Sequence, residues 1–191
     1  MRRIFSFTAL NVTQTLVTLV DSVFRLIVVF SLIDLMGQEC CNQILSLSGV
    51  LFILPFLFFS TPAGHLADKF SKRDVLIWTM WAEVIFLFIA IFAIWMHNVF
   101  SSYLSLFLVA LQAAIFSPAK YAILPEIVPE DDISRANGHM TLATYMAVIM
   151  GTFFGSFLAE ISGRNYVFST ILCFIASIIG LIFSYLIEKT P

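Results

Sequence analysis

The fold class this sequence predicts is all-α: a polytopic membrane bundle of six transmembrane helices. Three observations lead there. Hydrophobic residues make up 60% of the 191 and charged residues 12%, with a mean hydropathy of +0.99, whereas a soluble domain carries about 25% charged residues. Apolar segments recur six times, roughly at 7–36, 45–60, 75–96, 101–124, 137–159 and 166–187, on the scale of the ~20 residues a helix needs to cross a bilayer. The connections between them are short, so consecutive helices are expected to run antiparallel within one transmembrane domain over 1–191. A net charge of −2 gives no footing for nucleic acid, and the 21 Phe and 3 Trp suit lipid-facing surfaces and interfaces better than base stacking.

The basic residues set the expected orientation, because Lys and Arg favour cytoplasmic loops. Arg2 and Arg3 precede the first segment. Lys69, Lys72 and Arg73 lie between the second and third, Lys120 and Arg135 near the fourth connection, and Lys189 after the sixth. With six spans these all fall on one side, and only Arg164 falls on the other. Both termini are therefore expected in the cytoplasm. Met1-Arg2-Arg3 before an apolar run has the look of a secretory signal. The run is too long for one, contains Asp21 and Arg25, and is followed by no small-x-small cleavage site, so a retained first span is expected.

The first segment carries Asn11, Gln14, Thr18, Asp21 and Arg25, at steps of three, four, three and four residues. At 3.6 residues per turn these fall on one narrow stripe. Charges at mid-bilayer are costly and face protein or a water-filled cavity. Two readings stand side by side. One is a structural ion pair, Asp21 with Arg25 at i,i+4. The other is one wall of a polar pathway, which the length of the stripe favours.

In the second segment Pro55 is expected to kink the helix, and Pro62 and Gly64 to mark its end, with Gly64 admitting a close backbone approach and Asp68 capping or pairing across the turn. Cys40 and Cys41 are adjacent in the preceding loop, and two ordinary cysteines are expected there rather than a strained vicinal disulfide. The third segment has Trp78 and Trp81 as interfacial anchors and Glu83 about two turns in, either as a partner for a neighbouring helix or as an acid with a direct part in transport. The fourth ends at Gln112, Pro118 and Lys120. Pro118 is expected to break the helix; Lys120 either reaches the interface or binds an anionic group at the broken end. Glu126, Glu130, Asp131 and Asp132 read as a solvated turn. Ala147, Gly151, Gly155 and Ala159, four residues apart, form a small-residue face for close helix packing in the fifth segment. The sixth, apolar apart from Ser169, Thr170, Ser177 and Ser184, is expected largely to face lipid.

Two stretches carry a family resemblance. Gly64-His65-Leu66-Ala67-Asp68-Lys69-Phe70-Ser71-Lys72-Arg73 resembles the signature loop between helices 2 and 3 of major facilitator superfamily transporters, with Ser71 where that family usually has Gly. The resemblance implies a conformational latch at Gly64, Asp68, Lys72 and Arg73. Phe116-Ser117-Pro118-Ala119-Lys120-Tyr121, Leu124-Pro125-Glu126 and Arg135-Ala136-Asn137-Gly138 resemble the lysophospholipid transporter branch of the same superfamily. That branch has about twice as many helices, so this chain looks like an N-terminal six-helix half, truncated or split.

On matching positions the resemblance implies Gln14, Asp21, Arg25, Lys120 and Asn137 as substrate-binding residues. It implies movement of lysophospholipids across the bacterial inner membrane toward an acyltransferase with an acyl-carrier-protein-linked synthetase. Homodimerisation or a partner chain carrying six more helices would complete the pathway. Rival readings are a major facilitator transporter of another amphiphile, a membrane anchor for an acyltransferase, and a gene remnant.

Enzymatic chemistry has no footing in the residues. There is no nucleotide-binding glycine loop. His65, His97 and His139 have no ligand spacing, and none is followed four residues later by Asp, as the acyltransferase signature would require. No cofactor and no metal are expected.

Overall fold

The computed structural model describes residues 2–188, apart from the side chains of Arg2, Arg3, Ile4, Ala67 and Asp68. Seven α-helices follow one another: α1 (Arg2–Met36), α2 (Cys41–Lys69), α3 (Lys72–Trp95), α4 (Val99–Ala122), a single turn α5 (Leu124–Ile127), α6 (Ile133–Ile161) and α7 (Tyr166–Tyr185). All but α5 are long and apolar enough to cross a membrane, which makes six spans among the described residues, and these contain no strand. Asn98 and Asn165 cap α4 and α7, each side-chain oxygen accepting a hydrogen bond from the backbone N–H three residues on (3.0 and 3.1 Å). Cys40, Cys41 and Cys173 are free thiols.

The bundle is assembled around α1, which packs on α6, α7 and α4; α4 in turn lies against α2 and α3, and α3 against α7. The α1–α6 contact rests on the small-residue face, since Ala147, Gly151, Gly155 and Ala159 are all buried. A Cβ at Gly151 would lie 2.7 Å from Ser22 Cβ and 2.8 Å from the Leu19 carbonyl oxygen, so here only hydrogen fits. Without a hydrophobic drive between helices in lipid, such close backbone approach is a main source of association.

Two apolar clusters fill the interior. One, toward the end carrying Lys69 and Arg135 (here the basic end), gathers Leu10, Leu76, Met80, Phe116, Ile123 and Met140. The other gathers Phe24, Ile27, Leu32, Leu87, Leu106 and Tyr166 toward the opposite end. At that opposite end Asp34 accepts hydrogen bonds from Arg164 and from the Tyr166 hydroxyl, tying α1 to the start of α7.

Three sequence expectations are corrected. Pro62 and Gly64 do not end α2, which continues to Lys69; a Cβ at Gly64 would meet nothing within 4 Å, so no backbone approaches there. Pro118 does not break α4, which runs on to Ala122; a missing N–H is tolerated where packed neighbours hold the helix. The acidic connection is not simply a solvated turn. It contains α5 and a 3₁₀ turn at Glu130–Asp132, and Glu126 pairs with Lys72 at 2.6 Å. The expectation that α7 largely faces lipid agrees with the structure, since 39% of its most apolar window is buried; its hydroxyls lie on the inner face. Ser169, Thr170, Ser177 and Ser184 are all at most 1% exposed, while Ile171, Ile175, Ile179 and Ile182 form the outer face. The spans with least cover are α2 and α6, whose most apolar windows are 17% and 22% buried against 50% for α1 and α4.

Candidate functional site

Between the two apolar clusters lies a polar layer drawn from four helices. Asp21 of α1, Glu83 of α3, Gln112 of α4 and Ser177 of α7 are all buried, and Glu83 is fully so. Gln112 Nε2 donates to Glu83 Oε2 at 3.3 Å. Asp21, Glu83 and the Cys173 thiol lie close enough to feel one another's charge. Lys120, 6% exposed and one helical turn before the start of α5, interacts electrostatically with Asp21 from the basic end. Its ammonium also lies 5.1 Å from the centre of the Tyr121 ring, a cation–π distance. The layer is under-satisfied: Asp21 Oδ1 and Gln112 Oε1 are buried without a hydrogen-bond partner, while the Ser177 hydroxyl sits beside the Glu83 carboxylate. Since most buried polar atoms in proteins are paired, each such atom asks for an explanation.

The stripe on α1 divides into parts with different duties. Gln14 is fully buried and joins α1 to α6: its Nε2 donates to Asn11 Oδ1 (2.8 Å) and to the Met140 carbonyl of α6 (3.1 Å), and its Oε1 accepts from the Thr144 hydroxyl (3.4 Å). Thr18 bonds back to the Gln14 carbonyl at 2.9 Å. Gln14→Leu is therefore expected to loosen α1 from α6 by about 0.6–2 kcal/mol, the range of interhelical hydrogen bonds in membranes, read as a lower midpoint in equilibrium unfolding from mixed micelles.

The Asp21–Arg25 pair, one of the two readings of the stripe, is not formed. Arg25 has turned toward α2, its guanidinium carbon 5.1 Å from the Phe52 ring centre, and Asp21 has Lys120 as its opposite charge instead. An arginine stem long enough to reach the next helix is free to prefer an aromatic face over a neighbour one turn away. Asn137 is half-buried near the start of α6. Its neighbours Arg135 and His139 line a cleft of about 470 Å³ with Phe7, Val128 and Pro129. The structure thus brings Asp21, Lys120 and Glu83 together, places Gln14 at the α1–α6 contact, and leaves Arg25 and Asn137 on separate walls.

With this geometry in view, comparison with known proteins gives consistent results. Residues 11–191 match the family described as Major Facilitator Superfamily. The chain belongs to the Major Facilitator Superfamily. Among similar proteins, the lysophospholipid transporter LplT of Photorhabdus laumondii is 28% identical over 140 residues, covering 73% of this chain and 33% of its own. The LplT of Cronobacter sakazakii is 35% identical over 111 residues, covering 58% of this chain and 26% of its own. The matched region is thus about a quarter to a third of these relatives' length. A solved peptide transporter of the POT family, PepTSo, aligns over 95% of this chain and 37% of its own, with a TM-score of 0.78 at 19% identity. A bacterial homologue of the human lysosomal transporter Spinster aligns over 100% of this chain and 44% of its own, with a TM-score of 0.74 at 16% identity. At those identities the two structures speak for the fold alone.

In this major facilitator chain the signature stretch that runs from α2 into the first turn of α3 makes specific contacts. Lys72 reaches Glu126 beside the α4–α6 connection, and Arg73 donates from Nε to the Ile187 carbonyl (2.5 Å) and from Nη2 to the Tyr185 carbonyl (3.0 Å) at the end of α7. Trp81 Nε1 donates to the Tyr185 hydroxyl at 2.9 Å on the same side. The Asp68 side chain lies outside the described residues. Sequence reasoning does not place Gln112 and Ser177 in the site. A signal for Ser177 is present all the same: Ser169, Cys173, Ser177, Gly180 and Ser184 recur at steps of three or four, a stripe of small residues suited to facing other helices.

Proposed function

We propose that this chain is one six-helix half of a bacterial lysophospholipid transporter and does no bond-making chemistry of its own. The observation that carries the reading is Lys120. It is a cation buried in a membrane-spanning helix, near a carboxylate but not closed into an ion pair with it. A phosphate head group is an anion that such a cation attracts, and the apolar walls around it suit an acyl chain. The similarity to proteins named lysophospholipid transporter supports the substrate class. Asp21 stands as the resident counter-charge that the head group displaces, with Arg25 and Asn137 as further contacts on the way.

On this proposal the chain sits in the inner membrane with its basic end in the cytoplasm, in line with the distribution of Lys and Arg. Lys72–Glu126 and the Arg73 clasp on α7 act as a latch holding that end together. The thinly covered α2 and α6 then meet a second six-helix unit, from a partner chain or a second copy. An acyltransferase with its synthetase would consume the delivered lysolipid.

The test is binding to the purified chain in bilayers, with lysophosphatidylethanolamine set against a neutral alkyl glucoside of equal chain length. Wild type is expected to prefer the lysolipid. The double variant Asp21→Asn/Lys120→Met, which removes both opposite charges together, is expected to lose about tenfold or more in affinity, the worth of one charge-assisted hydrogen bond. Equal affinity in the double variant removes Lys120 from substrate recognition. Equal binding of glucoside and lysolipid by wild type favours another amphiphile. Recovery of an acyltransferase with the chain, without lysolipid binding, favours the anchor reading.

A further inference from the structure

A cavity of about 640 Å³ opens at the end of the bundle opposite the basic end, where the end of α1 meets the end of α6 and the start of α7. Its volume lies within the roughly 300–1,000 Å³ usual for ligand sites. Half-buried Phe30 and Ile33 of α1 give it an apolar wall, and Asp34, Glu160 and Arg164 line it as charged groups. Asp34 Oδ2 accepts from the Tyr166 hydroxyl at 2.6 Å, and Asp34 Oδ1 accepts from the Arg164 guanidinium. The Glu160 carboxylate has no hydrogen-bond or ion-pair partner among the described residues. The Asp34–Arg164 pair is open to solvent, with side chains 29% and 65% exposed. Exposed pairs of this kind contribute little to stability. The fold does not depend on it either: α1 is held to α6 by the small-residue face, and to α7 by the Tyr166 hydroxyl. Both charges are thus at liberty to change partner at little cost.

The backbone brings Arg164 back to the cavity. Gly163 and Arg164 both adopt the left-handed conformation, with φ of 60° and 65°, which is uncommon for a residue with a side chain. The turn is closed by the Gly163 N–H on the Glu160 carbonyl (3.1 Å) and the Arg164 N–H on the Ala159 carbonyl (3.0 Å). One base and one unpaired acid therefore edge the same opening, beside the Asp34 carboxylate. A ligand complementary to that set carries both signs of charge. We propose that this cavity binds the head group of a zwitterionic aminophospholipid, with its phosphate on Arg164 and its ammonium against the acids Asp34 and Glu160. Binding exchanges one ion pair for two. Asp34 releases the guanidinium and takes the ammonium, and Arg164 takes the phosphate, with which a guanidinium forms paired hydrogen bonds. The Tyr166 hydroxyl stays on Asp34. The second acid disfavours head groups that carry phosphate without an ammonium. The ligand class rests on the reading of the chain as a lysophospholipid transporter. On the orientation proposed above, the cavity meets head groups of the outer leaflet, at the far end of the bundle from Lys120.

The test uses the full chain in dodecyl maltoside micelles, a neutral detergent, and follows the rate at which phenylglyoxal modifies Arg164. Peptide mass spectrometry reads each arginine separately, so no mutation is needed. Saturating lysophosphatidylethanolamine should slow modification of Arg164 about tenfold, the free fraction left at ten times Kd. Lysophosphatidylglycerol, which keeps the phosphate and lacks the ammonium, should protect less. Glu160→Gln breaks no contact of the fold and should narrow that difference. Glycerophosphoethanolamine, the same head group without a chain, should also protect less than the lysolipid. Equal protection by it at the same concentration overturns a lipid as the occupant. Unchanged modification of Arg164, or equal protection by the two lysolipids, overturns the proposal. Lysolipid binding to wild type and to Asp21→Asn/Lys120→Met is measured in parallel. Binding that falls in the double variant while Arg164 of wild type stays unprotected removes this site alone. Protection of Arg164 with binding unchanged in the double variant removes Lys120 from recognition and leaves this site standing.

Discussion

Gly151→Leu is expected to part α1 from α6 and to give the largest loss of stability of any single substitution outside the polar layer. The reason is local. The first side-chain atom added at 151 would sit 2.8 Å from the Leu19 carbonyl oxygen and 2.7 Å from Ser22 Cβ. The first of these is backbone, which cannot swing aside as the end of a flexible side chain can. Overpacking of this kind costs about 1–3 kcal/mol and occasionally more, so alanine should already fall in that range and leucine beyond it. Gly155 meets mainly the Leu26 side chain, at 3.0 Å from its Cδ1 and 3.1 Å from its Cβ, with the Val23 carbonyl oxygen at 3.3 Å, so Gly155→Ala should cost less. Gly138 is the internal control: it lies on the same helix, and a Cβ added there would meet nothing within 4 Å, so Gly138→Ala should be neutral or slightly stabilising. Equilibrium unfolding from mixed micelles, with the three alanine variants side by side, measures the order. Equal midpoints for Gly151→Ala and Gly138→Ala would show that α1 and α6 do not pack as described.

What the sequence discloses, and what it hides, follows from the range of each interaction. The six spans are legible because hydropathy is a property of each segment by itself. The small-residue face at 147, 151, 155 and 159 is legible because helical period alone aligns it. Asp21 and Glu83 stand out as charges in apolar surroundings. Their partners do not, because partners come from other helices. Arg25 is the nearest opposite charge to Asp21 along the chain, yet its stem reaches Phe52 on α2, a residue 27 positions away in sequence. Pro118 looks like a helix end because a proline lacks the N–H; packing of α4 against α2, α3 and α1 carries the helix past it.

The hydroxyls of α7 give no direction in the sequence for a different reason. Thr170 and Ser184 donate to carbonyls of their own helix, at Tyr166 (2.8 Å) and Leu181 (2.7 Å). A hydroxyl satisfied in this way is tolerated against lipid or against protein, so its presence in the sequence does not say which it faces. The period of the stripe is the better guide. The same holds for Gln14: its sequence position does not show that its donors reach Asn11 and the Met140 carbonyl of α6.

Lys120→Met is expected to be the most damaging substitution within the polar layer, and its cost should be largely cancelled by a second change at Asp21. Removing the lysine leaves Asp21 and Glu83 as two acids without a base, both buried. Deleting one member of a closed buried pair typically costs about 3–5 kcal/mol; Lys120 and Asp21 are near each other but not closed into a pair, so the cost is expected below that range. Asp21→Asn should cost less, since it leaves one acid, Glu83, and one base, Lys120, buried in the layer. Asp21→Asn/Lys120→Met removes one charge of each sign and should be destabilised by clearly less than the sum of the two single variants. That difference is the coupling energy of a double-mutant cycle, and it is significant above about 0.5 kcal/mol. The cycle is measured by equilibrium unfolding of the four proteins under one set of conditions. Additive costs would mean that Asp21 and Lys120 do not act on each other, and the charge-exchange role assigned to Asp21 in head-group binding would go with them.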